Sequence, residues 1–214
     1  MAIYDTEEEQ LEALKSWKEN GQSSLVGVAL GVALILGWNY WQSYKREQAE
    51  QASNLYDQFM KAALENKKDS VDKLAETLQT QFKGTEYASF TGLLQAKLKA
   101  EQGDLAGAKE LLKKLAADSN KELSNIAKLR LVRLMLASGE YEQGLQLISE
   151  VDPSTESSFS GNYDELTGDL LVTLDRLDEA RTAYEKALRS GHQSPLLKIK
   201  IDDLTAPEKV ENQK

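Results

Sequence analysis

The chain has 214 residues and a net charge of −9, with 41% apolar against 29% charged residues, which excludes a disordered polypeptide and leaves room for one or two packed domains. It carries no cysteine and one histidine, His192, so disulfides and cysteine–histidine zinc sites are excluded by count. Before Tyr44, six acids (Asp5, Glu7, Glu8, Glu9, Glu12, Glu19) stand against Lys15 and Lys18, giving −4 and leaving −5 for the rest, a balance that argues against nucleic acid as a partner.

Residues 1–22 form a short acidic segment, and residues 23–44 (SSLVGVALGVALILGWNYWQSY) are the first predicted element. No charge occurs from Asn20 to Tyr44. At ~1.5 Å per helical residue this run crosses a ~30 Å hydrocarbon core. Leu25, Val26, Val28, Leu30, Val32, Leu34, Ile35 and Leu36 each favour insertion by about 0.3 to 0.6 kcal/mol. A cleaved export signal and a buried soluble helix are the other readings. The exit distinguishes them: Trp38, Tyr40, Trp41 and Tyr44, then Lys45 and Arg46, are an aromatic belt and a cationic stop, and bulky rings stand where a small-x-small cleavage site belongs. The segment is therefore expected to be a membrane anchor with the lipid bilayer as its solvent. Orientation is not set by charge, because Lys15, Lys18 and the amino terminus balance Lys45, Arg46 and Lys61. Gly27 and Gly31 form a G-x-x-x-G pair that permits close approach of another membrane helix; glycines are also simply common in such helices.

Beyond the anchor the apolar pattern is helical. Ala49, Ala52, Tyr56, Phe59 and Ala63 make one stripe, and then a period emerges. GDLAGAKELLKKL from 103, GEYEQGLQLISEV from 139 and DRLDEARTAYEKA from 175 are successively offset by 36 residues. A small residue recurs at Ala108, Gly144 and Ala180, an apolar one four later at Leu112, Ile148 and Tyr184, and another three later at Leu115, Val151 and Ala187. These share one helix face. Ala96, Val132 and Gly168 stand twelve residues before the small position, on the preceding helix, while Gly103, Gly139 and Asp175 mark the turns. The spacing resembles the tetratricopeptide repeat, whose helical hairpins stack into a curved solenoid. A plain helical bundle is the alternative. Residues 70–82 (SVDKLAETLQTQF) read as a partial earlier copy or cap, 152–162 (DPSTESSFSGN) as a loop, and 205–214 as a polar tail; Pro153 and Pro195 read as helix stops. The expected organisation is thus all-α, with a single transmembrane helix followed by a tetratricopeptide-like domain over 45–204.

No phosphate-cradling loop, nucleophile elbow or H-E-x-x-H motif is present, and His192 in SGHQSP reads as a solvated loop side chain. Acidic pairs such as Asp202 and Asp203 read as solvated charge. No catalytic residue, cofactor or metal is expected, and binding remains. With the first helix of each pair lining the groove, Phe90, Leu93, Lys97, Ile126, Leu129 and Arg133 would face it, suited to an extended or helical peptide. The alternative is that the leucines are core and the cations surface.

From end to end the chain resembles the YfgM-type ancillary subunits of the bacterial Sec translocon. The resemblance is carried by the opening IYDTEEEQLEALKSWKENG, the glycine-rich VGVALGVALILGW, the L-G-W-x-Y-W run from Leu36 to Trp41, and a repeat region of matching length. It implies a cytoplasmic N-terminus, one inner-membrane span and a periplasmic C-terminal domain. It also implies a non-enzymatic adaptor beside SecYEG that hands exported proteins to periplasmic chaperones, with a membrane-anchored prolyl-isomerase-like chaperone as a partner. The runner-up is a membrane-tethered scaffold for another cell-envelope assembly machine.

Overall fold

The structure is a computed structural model. It describes residues 4–151 and 158–205, with side chains at Lys15 and, within those ranges, from Leu25 to Leu204. Among the described residues every regular element is an α-helix: α1 (Tyr4–Leu64), α2 (Lys68–Gln81), α3 (Glu86–Glu101), α4 (Leu105–Ala116), α5 (Lys121–Ala137), α6 (Tyr141–Ser149), α7 (Ser160–Thr173), α8 (Leu177–Arg189) and α9 (Leu197–Thr205). The chain divides into two compact units, one ending at Asn54 and the other beginning at Leu55.

In the first unit, α1 is long and apolar enough to cross a membrane. Its apolar side chains are uncovered: Leu34, Ile35 and Leu36 are 74%, 62% and 63% exposed. In water that surface would be a liability; in hydrocarbon it is the required one. At the exit, the Trp38 and Trp41 rings lie 5.3 Å apart and Lys45 Nζ sits 4.3 Å from the Trp41 ring centre, so the cation is held against the aromatic belt.

In the second unit, the pairs α3/α4, α5/α6 and α7/α8 are the three copies of the repeat. Their second helices begin at Leu105, Tyr141 and Leu177, and their first helices end at Glu101, Ala137 and Thr173, each 36 residues after the last. The turn between paired helices is the same structure three times. Gly103, Gly139 and Asp175 adopt φ of 85°, 79° and 59°. The next amide in each case reaches back to the first helix: Asp104 N to Lys99 O, Glu140 N to Met135 O and Arg176 N to Leu171 O, all at 2.9 Å. This closure satisfies carbonyls that the helix end leaves open. It occurs again at Asn66, φ 55°, where Lys67 N donates to Ala62 O at 2.9 Å. Residues 70–81 therefore lie in α2, capped by Phe82, the second helix of a further hairpin whose first helix is the end of α1.

The core follows the predicted small positions: Ala96, Ala108, Val132 and Ala180 are 0–2% exposed, and Gly144 and Gly168 are buried. Among the described residues the three copies build three apolar layers. One joins Leu93 and Ala96 to Leu112 and to Leu131 of α5; the next joins Leu129 and Val132 to Tyr163 and Leu170 of α7; the last joins Leu171 to Tyr184 and to Leu197 of α9. Each layer therefore ties one copy to the helix that follows it, the arrangement that makes hairpins a solenoid. Tyr163, fully buried, donates to Asn125 Oδ1 at 2.8 Å and locks α7 to α5 through a satisfied polar contact.

Two expectations change. The loop expected over 152–162 ends early, since α7 begins at Ser160; Asn162 N donates to Phe159 O at 2.9 Å, so residues that read as turn formers open a helix. His192 is no solvated histidine: its side chain is 18% exposed and Nε2 lies 2.8 Å from Glu165 Oε2. Gly161 makes this possible, because a Cβ there would come within 2.9 Å of His192 Cγ and 2.8 Å of Ser190 Oγ. Pro195 does stand between α8 and α9. Pro153 and the tail beyond Thr205 lie outside the described residues.

Candidate partner-binding groove

The first helices of copies one and two, α3 and α5, enclose a groove of about 340 Å³. Ala96, Ala100, Leu112 and Leu134 supply its apolar surface, while Lys97 and Glu101 on α3 face Arg130 and Arg133 on α5. The repeat explains the geometry. Ala96, twelve residues before the small position of its copy, is itself small, so α4 approaches closely enough for Leu112 to reach the groove floor.

Of the residues expected from sequence to line the groove, Lys97 and Arg133 do so. Phe90 lies further toward the start of α3, 37% exposed, its ring edge-on to Tyr87 at 6.2 Å and near Tyr56 at 6.3 Å. Ile126, half-buried, packs against the first core layer. Leu93 and Leu129 are not on the open surface: at 6% and 5% exposed they belong to the first and second core layers. They sit at equivalent repeat positions, and the close approach of neighbouring first helices covers both.

Arg130 was not among the expected residues. It lies one helical turn before Arg133, on the same face, and that i, i+3 pairing of like charge was the available signal. Its Nη1 donates to Leu93 O at 3.1 Å. Burial and then the Arg133 charge push its pKa below the usual guanidinium value. Lys97 has Glu101 at 3.6 Å, with both side chains well exposed, a pair that adds little.

A second polar cluster lies where α9 meets α7. Glu165 accepts from Ser194 Oγ at 3.0 Å and Lys200 Nζ at 2.8 Å, beside His192; Asp169 accepts from Lys200 Nζ and, at 2.8 Å, from the Tyr184 hydroxyl. Burial raises the Glu165 pKa, but the hydrogen bonds from Lys200, His192 and Ser194 outweigh it and leave the carboxyl below its ordinary value. Lys200 is opposed by burial and carried above its ordinary value by Asp169 and Glu165. The donors and acceptors are matched within the cluster, which fastens the end of the solenoid. Among the described residues, no group of three His, Cys, Asp or Glu is placed to hold a metal ion. In the anchor, a Cβ at Gly27 or Gly31 would meet nothing within 4 Å, so neither glycine serves packing within this chain.

A family model described as a tetratricopeptide repeat-like domain matches residues 15–206. The ancillary SecYEG translocon subunit of Haemophilus influenzae is 32% identical over 208 residues, covering 95% of this chain and all of that protein. That of Escherichia coli K12 is 30% identical over 96% of this chain and all of that protein, and that of Aggregatibacter actinomycetemcomitans 26% identical over 95% and all. No solved structure matches significantly. By a family model that spans anchor and repeats alike, and by relatives matched along their whole length, the chain belongs to the tetratricopeptide repeat-like ancillary SecYEG translocon subunits.

Proposed function

We propose that this chain is a non-enzymatic, single-pass inner-membrane adaptor that associates with the SecYEG translocon and links exported proteins to periplasmic chaperones, a membrane-anchored prolyl-isomerase-like protein among them. The observation that carries this reading is the match along their entire length to proteins named as ancillary translocon subunits. In this reading residues 23–44 span the bilayer, 1–22 are cytoplasmic, 45–204 form the periplasmic repeat domain and 205–214 a tail. Gly27 and Gly31, with open space above both, are the face offered to another membrane helix. Lys97 and Arg133 line the groove, Phe90 and Ile126 stand about two turns earlier on the same two helices, and Leu93 and Leu129 hold that surface from beneath.

Photo-crosslinking in cells tests the proposal, with the probe at Val28 or Leu34 in the anchor and at Phe90 or Ile126 in the repeats. Translocon subunits captured from the anchor, together with chaperones or exported chains captured from the repeats, are the expected result. Capture of other envelope-assembly factors alone would keep the fold and discard the function.

A further inference from the structure

We propose that the groove between α3 and α5 receives an acidic segment of a partner polypeptide, selected by Arg130 and Arg133. The inference rests on this groove being the partner-binding surface and adds the chemistry of what enters it.

The distribution of arginine partners carries the argument. Residues 55–204 contain five arginines. Arg176 holds Glu179 at 2.7 Å, Arg181 holds Asp178 at 2.9 Å and Arg189 holds Glu185 at 3.5 Å. Arg130 and Arg133 hold no carboxylate among the described residues; Arg130 reaches only a backbone carbonyl, and the two guanidinium groups share one face of α5. Acids are not scarce, since the chain has 35 against 26 lysines and arginines. Two like charges without a counter-ion oppose folding, and a bound carboxylate would relieve them.

The repeat supplies an internal comparison. Lys97, Arg133 and Asp169 occupy the same place in successive copies, 36 residues apart. In copy three the charge is answered from within, by Lys200 of α9 at 2.6 Å. In copies one and two the sign is reversed: Lys97 has only the well-exposed Glu101 of its own helix at 3.6 Å, and Arg133 has no carboxylate partner among the described residues. The groove's apolar floor of Ala96, Ala100, Leu112 and Leu134 accepts an apolar side chain between such acids, which favours a peptide over a lone phosphate or a lipid headgroup. Guanidinium groups take carboxylates bidentately, so arginine gives orientation as well as attraction.

The test uses the full chain in uncharged detergent and fluorescence anisotropy of a labelled twelve-residue peptide of alternating glutamates and leucines, compared with its glutamine counterpart. The glutamate peptide is expected to bind about tenfold tighter, with the preference shrinking as salt rises from about 20 to 300 mM. Arg133→Gln, which breaks no hydrogen bond or ion pair among the described residues, should remove most of the preference with an unchanged melting curve. Arg130→Gln should remove it too, and Lys113→Gln, on the exposed face of α4, should not. Equal affinity for the two peptides, or a preference that survives Arg133→Gln, would overturn the proposal, as would displacement of the peptide by millimolar inorganic phosphate. Crosslinks from Ala100 and Leu134, which line the groove, separate the two readings. Partner capture without glutamate preference sinks only the charge selection, whereas no capture sinks the groove itself.

Discussion

Gly168→Ala probes the principle on which the repeats are built. An added Cβ would run into Cδ1, Cε1 and Cζ of Tyr184, the last at 2.8 Å, closer than side-chain carbons approach in folded proteins. The ring has nowhere to go: Tyr184 is 2% exposed, and its hydroxyl is tied to Asp169 Oδ1 at 2.8 Å. Restoring ordinary contact demands a shift of about an ångström in a packed layer, an overpacking cost of about 3 kcal/mol. The better helix propensity of alanine returns about 1 kcal/mol, leaving a net loss of about 2 kcal/mol. For a domain of this size the melting temperature should fall by about 4–8 °C, read by circular dichroism at 222 nm on the full chain in detergent. The other copies supply the rescue. Ala96 faces Leu112 in copy one, where Gly168 faces Tyr184 in copy three, so Gly168→Ala with Tyr184→Leu rebuilds a pairing the fold already uses. The double variant should be more stable than the sum of the single effects. A melting temperature for Gly168→Ala within about 1 °C of the parent, or strict additivity, would refute the reasoning.

Residues 55–214 expressed alone should be folded and helical, and a coil-dominated spectrum would count against an independent repeat unit. Asp175→Gly should stabilise by about 0.5–1 kcal/mol, since Asp175 holds φ 59° where the equivalent residues are glycines; Gly139→Ala should destabilise by about 1 kcal/mol, with open space at its Cβ so that only the backbone objects. Urea midpoints for the pair should move in opposite directions. Because the folded Glu165 pKa lies below its unfolded value, its contribution is complete above about pH 4.3 and disappears as pH falls through the lower folded pKa. Glu165→Gln should cost about 1–3 kcal/mol at neutral pH and flatten that acid limb, and an unaltered limb would show that the carboxylate is not responsible.

The fold was legible wherever physics repeats itself along the chain. The 36-residue spacing of small and apolar residues located the helix pairs and their turns, because a hairpin that stacks on copies of itself must present the same small side chains at the same places. The turn residues Gly103, Gly139 and Asp175 were readable for the same reason. What escaped were contacts joining segments with no shared pattern. His192 looked solvated because Glu165, its partner, is 27 residues away and the gap at Gly161 that admits it is visible only in three dimensions. Leu93 and Leu129 looked like groove residues because a helix wheel places them near Lys97 and Arg133; whether the neighbouring helix covers them depends on packing distance, which sequence spacing does not contain.

The charges on the first helices follow a different logic from the core beneath them. Core positions vary in compensating fashion: alanine with leucine in copy one, valine with isoleucine in copy two, glycine with tyrosine in copy three. The surface position shared by Lys97, Arg133 and Asp169 does not compensate along the solenoid. Its third member is neutralised by α9, and its first has only an exposed acid one turn along the same helix. Its second has no acid partner among the described residues. Packing therefore accounts for what lies under the groove, whereas the sign of its rim is set by something the hairpins themselves do not require. That makes charge reversal at Arg133 the cleanest separation of binding from stability: Arg133→Glu should leave the melting curve within about 0.5 kcal/mol of the parent, as for an ordinary surface change, while reducing partner capture at Phe90 and Ile126. A loss of stability of 2 kcal/mol or more would instead make the cation part of the fold.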